Sequence, residues 1–408
     1  MTYRVAITGL GLVTPIGTGI ETVWRNLLDG MVAVDVLDRF DAATFPSRIA
    51  AQINDFDPAA FLSRRRVQWT DRFSQFAVAA ARLAVEDAKF DAENRDDVGV
   101  YTGSALGGLA FAEEQIAVFH QQGLRAVRPL LSISVFGGAA ASNVAIEFGI
   151  TGPTIANADS CASGAIAVGD AFRAVARGDV RAAIAGGVEA PLAPLTFGAF
   201  TVARAMSTRN DDPKHASRPF DRDRDGFVMA EGGGFVILER YDDAIARDAR
   251  IYATIEGYGT SNDAHHMSAP RPDGSQTAAA LQRAIDDARI EASEIDAINA
   301  HGSSTPLGDR AELLAYRTVF GDRLAAIPIT ATKGQHGHAL GATGAWEVAI
   351  AAKSLVERTI PGTMNFVAAE NGIVPSVTAE AREYGCEYVL SNSSGFGGIN
   401  AAVILKRT

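Results

Sequence analysis

A chain of 408 residues that is 47% hydrophobic and 21% charged can bury a sizeable core, and this composition is that of an ordinary globular protein. Its formal charge of −11 argues against nucleic acid or an anionic membrane surface as the main partner, so an acidic partner must dock on a local basic patch. Two cysteines, Cys161 and Cys386, cannot build a disulfide framework and are too few for a usual structural zinc site, so a reducing, cytoplasmic setting is expected.

Residues 3–8 form a short apolar stretch that runs into Gly9, which predicts a first strand rather than a signal peptide. Phe73, Phe76, Ala77, Ala80, Leu83 and Ala84 recur at helical spacing and predict a helix over 71–88. A strand is expected over 98–102, a small-residue helix over 162–176 and a buried strand over 181–185. Strands over 234–239 and 252–256 come next, then a helix over 277–288 and a strand over 297–300. A helix over 341–356 and a strand over 401–406 complete the pattern. Strands alternating with helices indicate an α/β protein. The charged, Gly-rich stretch 204–234 reads as a long ordered excursion. No apolar run reaches membrane-spanning length. Ala84-Val85-Glu86-Asp87-Ala88 returns as Ala284-Ile285-Asp286-Asp287-Ala288, an offset of 200 residues. Asp96-Asp97-Val98 and Asp296-Ala297-Ile298 follow the two copies at the same distance. This repeat predicts a duplicated half, with halves 1–250 and 251–408.

Cys161 lies where a helix of Ala, Gly and Val begins, in Asp159-Ser160-Cys161-Ala162-Ser163-Gly164. The positive end of a helix dipole lowers a thiol pKa and favours the nucleophilic thiolate, so Cys161 is a candidate nucleophile. A buried, inert cysteine is the alternative from this segment alone. Cys386 has no such context and reads as structural. Two histidine loops stand out among seven His: Asn299-Ala300-His301-Gly302-Ser303-Ser304-Thr305, directly after a predicted strand, and Thr332-Lys333-Gly334-Gln335-His336-Gly337-His338. Loops at strand ends are where α/β proteins place chemistry. Neither His336 with His338 nor His265 with His266 has acidic or thiol ligands at regular spacing, so no metal is expected. Gly9-Leu10-Gly11 lacks the third glycine of a dinucleotide fingerprint.

Together these segments resemble the elongating β-ketoacyl-acyl-carrier-protein synthases of fatty-acid and type II polyketide pathways. The matching stretches run in order through Ile7-Thr8-Gly9-Leu10-Gly11-Leu12-Val13-Thr14-Pro15, the Cys161 loop, residues 205–213, 216–221 and 224–228, both histidine loops and Gly395-Phe396-Gly397-Gly398-Ile399-Asn400. The resemblance implies a thiolase-like five-layered αβαβα fold made of two similar halves. It implies a homodimer whose acyl pocket is partly lined by the partner subunit. The implied activity is decarboxylative condensation of an acyl thioester with malonyl carrier protein, with no cofactor beyond the phosphopantetheine arm that the acyl carrier protein brings.

Roles follow from the same resemblance. Cys161 accepts the acyl chain, His301 and His338 serve decarboxylation, Lys333 orients them and Glu347 supports the network. Phe396 gates the site within the loop of Gly395, Gly397 and Gly398, and its N–H joins that of Cys161 in holding an oxyanion. Ser303 and Thr305 match contacts to the phosphopantetheine arm. Leu106 and Leu131 match the far end of the acyl pocket. Met267 lies in the loop 262–268 opposite the gate. Arg64, Arg65, Arg66, Arg125, Arg128 and Arg204 match carrier-protein docking positions. Three departures point to a specialised acyl substrate such as a polyene. Ser394 stands where the family pattern has a Phe, Gly334 and His336 stand where it has Ser and Thr, and Gly137-Gly138 replace bulkier residues. A chain-length factor lacks the nucleophile and a thiolase uses a Cys/His/Cys set, so neither fits. Service as the catalytic half of a ketosynthase/chain-length-factor heterodimer stays open.

Overall fold

The computed structural model describes residues 3–91, 95–370 and 376–408. Its main sheet uses β1 (Val5–Thr14), β2 (Val98–Gly103), β3 (Thr154–Asn157), β4 (Ala182–Glu189), β5 (Gly232–Arg240) and β6 (Ala253–Asn262). It continues with β7 (Ala297–Asn299), β8 (Pro328–Thr330), β9 (Ser376–Val377), β10 (Tyr388–Gly395) and β11 (Ile399–Lys406). The strand order is β9-β8-β7-β10-β11-β6-β1-β5-β4-β2-β3. β1 and β6 pair antiparallel at the centre, and the pattern outward from them is the same on both sides. Two antiparallel neighbours come first, β5 then β4 on one side and β11 then β10 on the other. Two parallel strands follow, β2 then β3 and β7 then β8.

Six helices cover this sheet: α1 (Arg72–Ala88), α2 (Ala139–Phe148), α3 (Ser163–Arg177), α4 (Ser275–Ala288), α5 (Pro306–Phe320) and α6 (Thr343–Glu357). α1 and α2 share one outer apolar cluster, with Phe76, Ala80, Val100 and Ile184. α4 and α5 share another, with Leu281, Ile298, Tyr316 and Leu390. α3 and α6 lie between, in the largest cluster, where Ala165, Val168, Ala345 and Trp346 are buried. The result is the five-layered αβαβα arrangement with two similar halves. Among the described residues no helix is long and apolar enough to cross a membrane.

The repeated sequence has a packing reason. Gly9 and Gly11 of β1 lie under α1, and a Cβ on Gly11 would stand 2.0 Å from Ala80 O. Gly257 and Gly259 of β6 lie under α4 in the same way, with Ala280 O 2.3 Å from a Cβ on Gly259. Between each glycine pair a backbone N–H donates to an aspartate: Leu10 to Asp87 at 2.9 Å and Tyr258 to Asp287 at 2.9 Å. Gly9-Leu10-Gly11 therefore seats a helix on a strand. The first strand also runs on to Thr14, because the glycines stay extended beneath α1.

Asp71 caps α1 by accepting from Ser74 N at 3.2 Å. The excursion 204–234 is ordered by bridges of Met206 to Phe227 and of Met229 to His338, which lead it to the second histidine loop.

Candidate active site

Cys161 sits in a single turn, Ser160–Ala162, between β3 and α3. Ser160 adopts a left-handed φ of 51°, which turns the chain sharply from strand to helix. Cys161 lines a cavity of about 400 Å³. His301 and His338 line the same cavity, so three loops far apart in sequence converge on it.

The His301 loop is held from behind. His301 N and Gly302 N donate to the two oxygens of Glu312, on α5, at 2.7 and 2.8 Å. Tyr316 Oη and Asn392 Nδ2 donate to Glu312 as well, at 2.6 and 2.8 Å. Glu312 was not among the sequence-predicted residues. Its signal was a buried polar stripe, Asp309, Glu312 and Tyr316 at helical spacing directly after the histidine loop. Asp309 accepts from Phe220 N at 2.7 Å, and burial pushes its carboxyl up to about 7.

His338 N donates to Val228 O at 2.7 Å, and its Nδ1 meets Thr343 Oγ1 at 3.2 Å. Its Nε2 is buried without a hydrogen-bond partner among the described residues. The two rings stand perpendicular, centroids 5.3 Å apart. Burial, and then the Lys333 charge, hold both imidazoles well below the ordinary histidine range, so both are neutral. A neutral imidazole with a free Nε2 can donate a hydrogen bond to charge that develops in the cavity.

Lys333 and Glu347 form a fully buried ion pair, and the ammonium also donates to His301 O. Burial pushes the Glu347 carboxyl up to about 7 against the pull of Lys333. His336, next in the loop, points elsewhere. It bonds Gly337 O at 2.8 Å and Thr332 Oγ1 at 2.9 Å, packs edge-on against Trp346, and is lowered to about 3 by burial. His266 lines the cavity and accepts from Ser268 N and Ala269 N at 3.1 and 3.3 Å. Among the described residues no three His, Cys, Asp or Glu side chains gather as a metal site.

The thiol differs from the dipole expectation. Burial pushes Cys161 up to about 12, and the Glu189 carboxyl adds to the rise. The Lys333 charge and the N–H groups of Phe396 and Cys161 pull the other way without prevailing. Cys161 stands in the turn before α3 and deep in the protein, so loss of water outweighs the helix end. Cys386 is buried, contacts Tyr384 O at 3.8 Å and does not line the cavity.

Ser394, Gly395, Phe396, Gly397, Gly398 and Asn400 line the cavity beside Cys161. Gly395 lies against Cys161, where a Cβ would be 2.9 Å from Cys161 N. Gly397 and Gly398 have φ of 81° and 74°, which favour glycine. Phe396 stacks on Phe200, centroids 6.0 Å apart. Gly397 N donates to Met267 O and Asp263 N to Gly398 O, both at 2.8 Å, so the glycines beside Phe396 and the 262–268 loop are tied together. Met267 itself is 76% exposed. Ser394 Oγ donates to Asn400 Oδ1 at 2.9 Å on the cavity wall. Ser303 and Thr305 hydroxyls lie 2.9 Å apart on the same wall, and Thr305 also caps α5.

The remaining predicted positions are dispersed. Leu106 packs in one apolar cluster with Cys161 and Phe200, off the cavity wall. Leu131 opens a short helix, Leu131–Ser134, and does not line the cavity. Arg204 lines the cavity, while Arg64, Arg65 and Arg125 are exposed. Arg66 is turned inward and donates to Asn143 O and Oδ1 at 3.0 and 3.1 Å. Arg128 donates to Gln68 O at 3.1 Å and lies over the Phe111 ring.

Comparison with known proteins gives a consistent result. Residues 2–244 match the family described as "Beta-ketoacyl synthase, N-terminal domain", and residues 252–367 match "Beta-ketoacyl synthase, C-terminal domain". The 3-oxoacyl-[acyl-carrier-protein] synthase 2 of Coxiella burnetii is 40% identical over 99% of this chain and 98% of its own. The protein of that name from Vibrio harveyi is 39% identical with the same coverage. Among solved structures, one similar chain belongs to a type II PKS acyl-carrier protein in complex with its ketosynthase bound to the hexaketide. It has TM-score 0.93, 31% identity and full coverage of both chains. A β-ketoacyl synthase from Burkholderia phymatum gives TM-score 0.92 and 34% identity, again with full coverage of both. A chain of the ishigamide ketosynthase/chain length factor gives 0.92 and 31%, with full coverage of both.

Proposed function

The chain belongs to the β-ketoacyl synthase family and is a condensing acyltransferase of the 3-oxoacyl-[acyl-carrier-protein] synthase class, and from that premise we propose that it elongates a specialised acyl chain held on Cys161. The observation that carries the reading is the convergence of Cys161, His301 and His338 on one cavity.

In this reading the sulfur attacks an acyl thioester delivered by acyl carrier protein. The thiol is neutral at rest, so during the attack its proton passes to a neutral imidazole of the same cavity and from there to the departing carrier sulfur. The N–H groups of Cys161 and Phe396 hold the oxyanion. The carrier thiolate departs, and the acyl chain remains as a thioester on Cys161, which divides the condensation into two easier steps. Malonyl carrier protein enters next and loses carbon dioxide. Its electron pair stays as an enolate, to which His301 and His338 donate hydrogen bonds. The enolate carbon attacks the acyl carbonyl, the carbon–sulfur bond to Cys161 breaks, and 3-oxoacyl carrier protein leaves. Every step uses this chain's own groups and the carrier's phosphopantetheine arm, with Ser303 and Thr305 against that arm. Arg65, Arg125 and Arg204 supply positive charge for an acidic carrier in a cytoplasmic setting.

A second subunit completes the enzyme in this proposal, either another copy or a chain-length-factor-like partner. Among the described residues β3 is an edge strand paired only to β2, and its Ile155 is 49% exposed. Ile133, Val135 and Phe136 are exposed too, Phe136 flanks Gly138 together with Ala156 of β3, and unpaired edges with apolar neighbours invite pairing.

Cys161→Ala decides the central claim. Condensation and acyl transfer should vanish while malonyl decarboxylation persists, because both histidines remain. Condensation that survives the change removes the nucleophile from Cys161. A panel of acyl carrier proteins tests the specialised substrate, and a clear preference for ordinary saturated chains rejects it.

A further inference from the structure

Each half of the fold carries the same turn. Ser160–Ala162 leads into α3 with Ser160 at φ 51°, and Leu340–Ala342 leads into α6 with Leu340 at φ 44°. Gly341 is therefore the positional mate of Cys161. The strands that close on the two turns correspond as well. β10 ends at Gly395, which lies against Cys161 N and contributes no side chain there. β4 ends at Glu189, whose carboxylate lies against Gly341 N at 3.1 Å.

Three more donors meet that carboxylate. Ala105 N donates to Oε2 at 2.7 Å, Leu106 N to Oε1 at 3.1 Å and Ser104 Oγ to Oε1 at 2.9 Å. The second turn is thus a copy of the nucleophile turn whose N–H already holds a protein oxyanion. It has no spare room, since a Cβ on Gly341 would lie 2.6 Å from Ala105 N and 2.9 Å from Glu189 Oε2. Glu189 is fully buried, and among the described residues it forms no ion pair with a cation. Burial pushes its carboxyl up to about 7. A buried carboxylate without a cation is costly, and the proposed chemistry does not use this one. What it does join is specific. Leu106 and Leu340 both pack in the apolar cluster that holds Cys161, and Leu340 lines the cavity.

We propose that Glu189 is a positioning residue for the acyl chain: it fills the idle copy of the nucleophile turn and clamps the Leu106 segment to the Leu340 turn beside Cys161. This rests on the acyl-thioester reading above, because the Leu340 wall, with Leu106 behind it, acts only on a chain parked on the sulfur.

The test uses Glu189→Gln and Glu189→Ala in the full chain, with Ser104→Ala as a milder variant that removes one donor. Three quantities are read: alkylation of Cys161 by iodoacetamide, decarboxylation of malonyl carrier protein, and acyl transfer from thioesters of increasing length with kcat and KM separated. For Glu189→Ala, kcat/KM for long chains should fall about tenfold, the size of one or two lost buried hydrogen bonds, while short chains and decarboxylation stay within about twofold and alkylation of Cys161 does not fall, since the carboxyl that raises the thiol is gone. The fall should lie in KM. Glu189→Gln should recover part of it, since the amide oxygen still accepts. Long and short chains affected alike, all activities falling in parallel, or no change at all would each reduce Glu189 to a scaffold residue and overturn the inference. If the Glu189 variants do not fold, Ser104→Ala decides by the same pattern. A wild-type chain that alkylates but accepts no acyl group overturns the ketosynthase reading and this inference together.

Discussion

Replacing Lys333 by methionine probes the electrostatic centre of the site. Lys333 and Glu347 are both fully buried, and the ammonium donates to Glu347 and to His301 O. Methionine keeps much of the apolar stem and removes every donor. Glu347 Oε2 already lacks a partner, so the variant strands both oxygens of a buried carboxylate. Removing one member of a buried pair costs about 3–5 kcal/mol. Glu347 recovers some of this by taking a proton, because burial already pushes it up to about 7 with the lysine present. A net loss of about 2–4 kcal/mol in urea unfolding is expected, and Lys333→Met with Glu347→Leu should regain most of it, since an apolar pair avoids the desolvation cost. The histidines respond too. After burial, the Lys333 charge is the next cause holding His301 and His338 low, so both pKa values rise in the single variant. The acid limb of malonyl decarboxylation should then move to higher pH, read as carbon dioxide release between pH 4 and 8. A single variant as stable as wild type with an unmoved acid limb would refute this reasoning, as would a double variant no more stable than the single.

His336 is held neutral down to about 3, so its share of stability is full above pH 6.5 and drains as pH falls toward 3. His336→Gln carries no such group, and between pH 6.5 and 4 it should lose about 3 kcal/mol less stability than wild type in denaturant titrations; parallel curves would contradict this. Ile155→Asp puts a charge on the exposed edge of β3 and should shift the chain toward monomer in analytical ultracentrifugation while leaving its fold intact. An unchanged association state would remove β3 from the interface.

Much of the architecture is written locally. The helix over 71–88 follows from apolar spacing and an aspartate cap, and it forms at Arg72–Ala88. The recurrence of Asp87 as Asp287 marks two helices that bind two strands by the same aspartate contact. Other elements are hidden because burial, not local preference, makes them. Ser391-Asn392-Ser393-Ser394 has the composition of a turn, yet it forms half of β10, with Ser391, Asn392 and Ser393 buried. Helix α5 hides its inner face because that face is polar, with Asp309 and Glu312 turned in toward the His301 loop.

The α/β class, the duplication and the chemistry-bearing loops are legible along the chain, because periodicity, caps and glycine placement act over a few residues. What those loops do together depends on how the chain packs. Packing brought Cys161, His301 and His338 to one cavity from positions up to 177 residues apart (338 − 161). It also raised the Cys161 thiol that its helix alone would have lowered, and seated Glu189 in the second turn. Desolvation depends on depth and contact on the packing of distant segments, and neither is encoded in the spacing of neighbours along the chain.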